Sequence, residues 1–472
     1  MNKLIDAMRT NDSTTYNGAI THSTSSNACL DLFFLAGACR NEKECSIVSK
    51  LSAAYEEDRV KCLKIIFWAG DIREGAGERR FFKIALNWLL QDHVEDLIKY
   101  MNKVPEYSRW DVLFELDHPM VLEYICNNLT YKEDSKPDAL LCKWLPRKGQ
   151  YKGLAKKIQK YTGLTPKQYR KFIVEHTKVV EQQMCAKKWN EIEYEHVPSV
   201  AINKYNKAWY RNDEDRFIKY LEKVRDGKSK INASVIYPHD IIRGAKVGSH
   251  YDDTTYKLNE AQITQWENLP NYLEGKPNSI IPVCDVSGSM ECPNGLPISI
   301  SLALGLYISE RNEGIFKDAF ITFSDRPTMQ YLKGDINQRL KQLYKSNWGM
   351  TTNLTKVFDE ILKRATNFHI SPEEMPETIL VISDMEFNEC GDMTNFEYIR
   401  NAYNAMNYKL PQIVFWNVNG RVGNVPIKMN QEGVALVSGA SPQIIKAILS
   451  NEVNPLNMMN SIVERDRYSF IM

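Results

Sequence analysis

Asp285, Ser287 and Ser289 lie in the string Cys284-Asp-Val-Ser-Gly-Ser-Met290, where one carboxylate and two hydroxyls occupy alternate positions. These are hard oxygen donors, suited to magnesium, manganese or calcium rather than zinc. Gly288 lets the string bend tightly. Two later segments add donors. Gly349-Met-Thr-Thr-Asn353 offers the Thr352 hydroxyl, with Thr351 as an alternative, and Asp384 closes Ile379-Leu-Val-Ile-Ser-Asp384. The candidate metal set is Asp285, Ser287, Ser289, Thr352 and Asp384. The plainer reading is that the aspartates cap helices and the serines fill a turn. Few protein charges neutralise a cation held mainly by hydroxyls, so such a site should recruit an outside anion. No water-activating base is legible, since His369 lies beyond a helical stretch and the other histidines come before residue 277. Binding rather than catalysis is expected. A metal-dependent nuclease is the weaker alternative, for lack of the carboxylate cluster of two-metal phosphoryl chemistry.

Donors so far apart in sequence need a scaffold that brings them together. From about Pro277 onward, short apolar runs alternate with helical stretches. The runs are Ile280–Val283, Ala319–Phe323, Thr378–Ser383 and Gln412–Val418. The helical stretches are Leu296–Ser309, Leu354–Arg364 and Asn395–Met406. That alternation predicts a doubly wound α/β domain over 277–472, its parallel sheet covered on both faces. Asp285 and Asp384 then fall at carboxyl ends of strands, where such sheets bind ligands.

Residues 1–270 show helical periodicity instead, over Ala53–Trp68, Arg80–Leu90, Met120–Asn128, Pro166–Ala186 and Asp213–Val224. Helices alternating with short polar turns suggest a HEAT-like stacked array, although no strict repeat period is visible. Gly70-Asp-Ile-Arg-Glu-Gly-Ala-Gly77 lacks the Gly-Lys-Ser/Thr ending of a phosphate-binding loop and reads as a turn between helices. The polar segment Tyr251–Lys276 reads as the connection between the two parts.

The net charge of +1 conceals an asymmetry. Between Leu141 and Lys230, 22 Lys/Arg stand against 10 Asp/Glu, a local net of +12. Within it, Lys143, Arg147, Lys148, Lys152, Lys156, Lys157, Lys160, Lys167, Arg170 and Lys171 follow one another without an acidic residue. Trp144, Tyr151, Tyr161 and Tyr169 are interleaved. Cations neutralise phosphates and aromatic faces stack on unpaired bases, so this segment is a candidate RNA-binding face. The alternative is a solvated helical face over buried aromatics.

Composition bounds the rest. A chain of 472 residues, 43% hydrophobic and 25% charged, is ordinary for a soluble protein of two or three domains. No run is long and apolar enough to span a membrane, and Met1–Thr10 lacks the apolar core of a secretory signal. Ten scattered cysteines without Cys-x-x-Cys pairs predict reduced thiols and a cytoplasmic setting.

The metal string, the Thr352 turn and Asp384, in this strand–helix order, resemble the metal-ion-dependent adhesion site of von Willebrand factor A domains. The resemblance implies a partner's carboxylate as the anion at the metal. Met350 departs from the family, where many members carry a second glycine. Further strings, Gly70–Arg79, Pro105–Asp111, Lys143–Pro146, Val197–Ala201, Ile231–Ala233, Tyr237–His239 and Ser383–Phe387, resemble a family known only as a domain of unknown function, found in plants, fungi, large viruses and phages. In architecture that family is similar to the Ro (TROVE) ribonucleoproteins, which join helical repeats to a von Willebrand A domain. This implies an RNA-binding scaffold for small structured or single-stranded RNA, with a metal-dependent protein-interaction module as the alternative.

Overall fold

Ile280-Ile-Pro-Val-Cys284 forms a strand buried along its whole length in the computed structural model. Successive side chains of a strand point to opposite faces, so unbroken burial requires cover on both sides. The same holds for Ala319–Thr322, Thr378–Ser383 and Val434–Ser438. The structure describes residues 13–129, 137–231, 236–243, 246–247, 255–274, 279–291, 294–324, 326–346, 351–449 and 454–472. Gly349 and Met350, and the boundary at Pro277, lie outside them.

The strands are β1 (Ser13–Thr14), β2 (Ile20–Thr21), β3 (Lys246–Val247), β4 (Thr255–Tyr256), β5 (Ile280–Cys284), β6 (Ala319–Thr322), β7 (Met329–Tyr331), β8 (Thr378–Ser383), β9 (Gln412–Asn417) and β10 (Val434–Ser438). Six of them form one sheet in the order β10-β9-β8-β5-β6-β7, parallel except for β7. β5 pairs with β8 at all five residues but with β6 only at Val283 and Cys284, past Pro282, whose nitrogen has no hydrogen to give. From β5 the chain goes first to β6 on one side, then to β8 on the other. The topological switch point is therefore between β5 and β8.

The predicted elements of this half are present within a residue or three at their ends. Sequence reasoning missed β7, the helix Ile336–Lys345, β10 and the helix Pro455–Val463. The segment expected as a connection holds the helix Glu260–Glu267, with Trp266 buried and its indole N–H donating to Glu310 at 2.7 Å.

The division at residue 270 does not describe the packing. One unit comprises 1–69, 74–78 and 233–472, the other 70–73 and 79–232. The reason is the apolar helix Ala28–Ala36, nearly all of it buried, which packs against β10. There the Ser438 hydroxyl donates to the Phe33 carbonyl at 2.7 Å and accepts the Gly37 N–H at 3.1 Å.

The second unit is helical. Its main helices are Arg79–Asp92, Pro119–Asn127, Lys152–Thr162, Pro166–His176 and Glu214–Arg225. Two stretches predicted as single helices, the first of them in the other unit, are each broken in two. Ala53–Trp68 is interrupted at Asp58, which is extended between Glu44–Glu57 and Arg59–Gly70. Pro166–Ala186 is interrupted after His176, where Thr177 is extended and its hydroxyl bonds back to the Ile173 carbonyl at 2.7 Å. A threonine that satisfies its own helix end in this way competes with helix continuation.

Candidate metal centre and basic surface

Asp285 and Asp384 emerge from adjacent parallel strands at the switch point. The Asp285 N–H still donates to the Ile382 carbonyl at 3.0 Å, as the ladder's last rung. Beyond it the chain turns. Asp285 Oδ1 accepts the Ser287 N–H at 2.9 Å, and the Ser287 and Ser289 hydroxyl oxygens stand 3.1 Å apart. Met385 follows Asp384 with φ +65°, a conformation rare for residues other than glycine. That turn brings the Glu386 N–H back onto Asp384 Oδ1 at 3.2 Å.

Asp285, Ser287 and Asp384 are buried, and Ser289 is half-buried. Among the described residues neither aspartate forms an ion pair, and Asp384 Oδ2 is buried without a hydrogen-bond partner. Burial raises the Asp285 carboxyl above the usual range, against hydrogen bonds from Ser383 and Ser287 that lower it. Burial, and then the neighbouring Asp285 charge, push Asp384 up to about 7, with Ser289 as an opposing hydrogen-bond partner. Two buried carboxylates that disfavour each other's charge, one with a free oxygen, form a site short of positive charge. The donor set is all oxygen, which fits magnesium, manganese or calcium. No group of three or more His, Cys, Asp or Glu residues among those described could hold a metal, so a cation here would rely on the serine hydroxyls and water.

Thr352 is placed differently. It is 2% exposed, and its hydroxyl donates to the Glu386 carbonyl at 2.5 Å, with Asn388 Oδ1 at 3.1 Å. Four of the five predicted donors thus share one strand-end cluster, while Thr352 is tied to the loop that leaves Asp384. The Thr351 hydroxyl oxygen is buried and unpartnered, so the alternative donor stays open. Sequence reasoning missed Ser383, whose hydroxyl donates to Asp285 Oδ2 at 2.6 Å. Its position at the end of an apolar run, one residue before Asp384, was the available signal.

The ten basic residues lie in the helical unit, on Ala139–Trp144, Lys152–Thr162, Pro166–His176 and the turns between them. Nine are exposed and Lys143 is half-exposed. Lys143, Lys157 and Lys171 pair with Glu181, Asp117 and Glu175. The other seven form no ion pair among the described residues. Lys152, Lys156 and Lys160 recur every four residues and so share one helix face.

The aromatic expectation is corrected in part. Tyr169 is 1% exposed and donates to the Pro146 carbonyl at 3.2 Å, so it is core. Trp144 lies under the Arg109 guanidinium, 3.6 Å from the ring centre, and the Tyr151 hydroxyl bonds to Glu115. Tyr161 is half exposed.

A six-stranded, mostly parallel sheet beside many helices defines a mixed α/β protein. The chain belongs to the family described as "Domain of unknown function (DUF2828)", whose model matches residues 15–108 and 118–276. A second such model, DUF7788, matches residues 279–467. The uncharacterized protein L728 of Acanthamoeba polyphaga mimivirus is 29% identical, over 96% of this chain and 87% of its own length. The crystal structure of the Deinococcus radiodurans RO (RSR) protein aligns with a TM-score of 0.38 at 15% identity, over 93% of this chain and 87% of that one. No helix among the described residues is long and apolar enough to cross a membrane.

Proposed function

We propose that the protein is an RNA-binding scaffold of Ro type. Its basic helical surface holds small structured or single-stranded RNA by the phosphates. The observation that carries this reading is the set of seven exposed cations without an acidic partner among the described residues. A merely solvated face mixes signs, whereas unpaired cations in a row attract a polyanion and release its counterions. The helical unit is read as a HEAT-like module, and the cell compartment as cytoplasm, that of the host if the protein is viral. The test is anisotropy of labelled single-stranded and hairpin RNA with the full-length protein across a salt series. Affinity should fall steeply with salt, and Lys152→Glu, Lys156→Glu and Lys160→Glu together should weaken it at least tenfold. Equal affinity in the triple variant would sink the proposal.

A second reading concerns the α/β unit, which is taken as von Willebrand A-like, with a divalent cation held by Asp285, Ser287, Ser289 and Asp384 and completed by Thr352. It is favoured by the unpartnered Asp384 oxygen and by two carboxyls raised by burial, that of Asp384 also by the Asp285 charge. A bound cation there would supply a point of positive charge for an acidic ligand, such as a carboxylate on a partner protein. We assign no catalytic residue. His369 sits at a helix end, with Nδ1 2.9 Å from the Thr366 carbonyl oxygen.

A further inference from the structure

We propose that Asn17 is a positioning residue of the metal centre, making the N-terminal segment part of a site otherwise drawn from the C-terminal half. The inference rests on the reading of Asp285, Ser287, Ser289, Thr352 and Asp384 as a cation site. Residues 13–22 turn back on themselves as β1 and β2 and lie along the loops that follow β8 and β9. Bridges join Gly18 to Asn388, Ile20 to Thr394 and His22 to Val425. The Thr15 hydroxyl donates to the Phe387 carbonyl at 2.7 Å, and the Tyr16 N–H donates to the Glu386 carboxylate at 2.5 Å. Asn424 and Arg421 also reach that carboxylate, at 3.3 and 3.5 Å. The Glu386 side chain is therefore taken up in anchoring the segment and is not a spare metal ligand.

At the tip of this segment, the Asn17 amide spends both its protons on the metal loops. One goes to the Glu386 carbonyl at 2.7 Å, the other to the Thr352 hydroxyl oxygen at 3.1 Å. The Thr352 hydroxyl has a single proton, and its shortest contact is with the same Glu386 carbonyl, a pure acceptor. With its proton committed there and one lone pair filled by Asn17, one lone pair remains for a cation. Asn17 thus clamps the Thr352 turn to the loop leaving Asp384 and fixes the hydroxyl's orientation. Asn17 itself is exposed, so its removal deletes the clamp without opening the core.

The test is calorimetric titration of magnesium or manganese into the full-length protein at pH 8. Asn17→Ala should weaken the cation by roughly tenfold, as loss of two neutral hydrogen bonds implies. Ser13→Ala removes a strap bond to the Gly423 carbonyl, 2.7 Å long, that does not touch the metal loops, and should leave affinity unchanged. In a Thr352→Val background, Asn17→Ala should add nothing further. Asn17→Ser, too short to bridge, should match Asn17→Ala and covers the case in which the alanine variant fails to fold. Wild-type affinity in Asn17→Ala or Asn17→Ser, or an equal loss with and without the Thr352 hydroxyl, overturns the positioning role alone. Absence of cation binding by the wild type overturns the site reading and this inference with it.

Discussion

The Ser383 hydroxyl donates to Asp285 Oδ2 at 2.6 Å, so the strand that ends in Asp384 also orients the carboxylate at the end of its neighbour. The Ser383 hydroxyl oxygen in turn accepts the Met385 N–H at 3.0 Å and so helps to shape the turn after Asp384. Ser383→Ala removes both bonds inside the core. It should destabilise the protein by about 2 kcal/mol, within the range for a buried bond to a charged group. Urea unfolding would show this as a lower midpoint with an unchanged slope.

Magnesium or manganese should raise the melting temperature, since a ligand of the native state stabilises by about 2.7 kcal/mol at a hundredfold excess over Kd. Asp285→Ala should remove that increment while the far-ultraviolet circular dichroism stays native. An undiminished metal response in the variant would place the cation elsewhere.

The pH dependence of the metal-free protein follows from Asp384. Its carboxyl is held near pH 7 in the fold, against an ordinary 3.8, by burial and then by the Asp285 charge. The native state therefore binds the proton more tightly than the unfolded chain. This contribution to stability is complete below about pH 4 and is lost as pH rises through 7. Metal affinity should run the opposite way, rising over the same window as the proton leaves. Denaturation of wild type and Asp384→Asn at intervals from pH 5 to 8 checks the sign, because the asparagine variant should lose most of this slope.

The basic helix should divide by pairing. Lys157 is held by Asp117, whereas Lys152, Lys156 and Lys160 have no acidic partner among the described residues. Each unpaired lysine that meets a phosphate of single-stranded RNA contributes about 0.7 to the slope of log affinity against log salt. The triple variant Lys152→Glu, Lys156→Glu, Lys160→Glu should flatten that slope by about two units, and Lys157→Glu alone should change it little. Asp285→Ala should alter RNA affinity by less than about threefold, since one site is a single local charge.

Gly37 marks where the N-terminal helix meets the sheet. A Cβ there would lie 2.7 Å from the Ser438 backbone carbonyl group, which cannot swing aside. Gly37→Ala should cost about 1–3 kcal/mol by overpacking, read as a drop in melting temperature with magnesium binding per folded molecule retained. By the same geometry, a fragment beginning at residue 277 lacks the helix that covers β10. It should aggregate unless residues 13–69 are supplied.

Much of the α/β half was legible without coordinates. Buried parallel strands are continuous apolar runs, and β5, β8 and β9 stand out as Ile-Ile-Pro-Val, Thr-Ile-Leu-Val-Ile-Ser and Gln-Ile-Val-Phe-Trp-Asn. Asp285 and Asp384 follow such runs directly, so their place at strand ends came from local pattern alone. β7 was hidden because Met329 and Tyr331 on this edge strand are exposed, leaving no apolar run to read. The basic run was equally plain, since charge needs no fold to be counted. What those residues face was not plain: Tyr169 proves to be core and Lys157 is neutralised by Asp117, forty positions away. The N-terminal segment shows the limit most clearly. Nothing in Thr15-Tyr-Asn-Gly18 points to the Thr352 turn and the Glu386 loop more than three hundred residues later, because a polar turn looks the same whether it faces water or another loop. Periodicity reports which face of an element is buried, and residue type reports what chemistry is available. Which distant side chain accepts a given hydrogen bond depends on chain crossings that only the tertiary structure sets, and Asn17, Ser383 and the Thr352 hydroxyl were placed there.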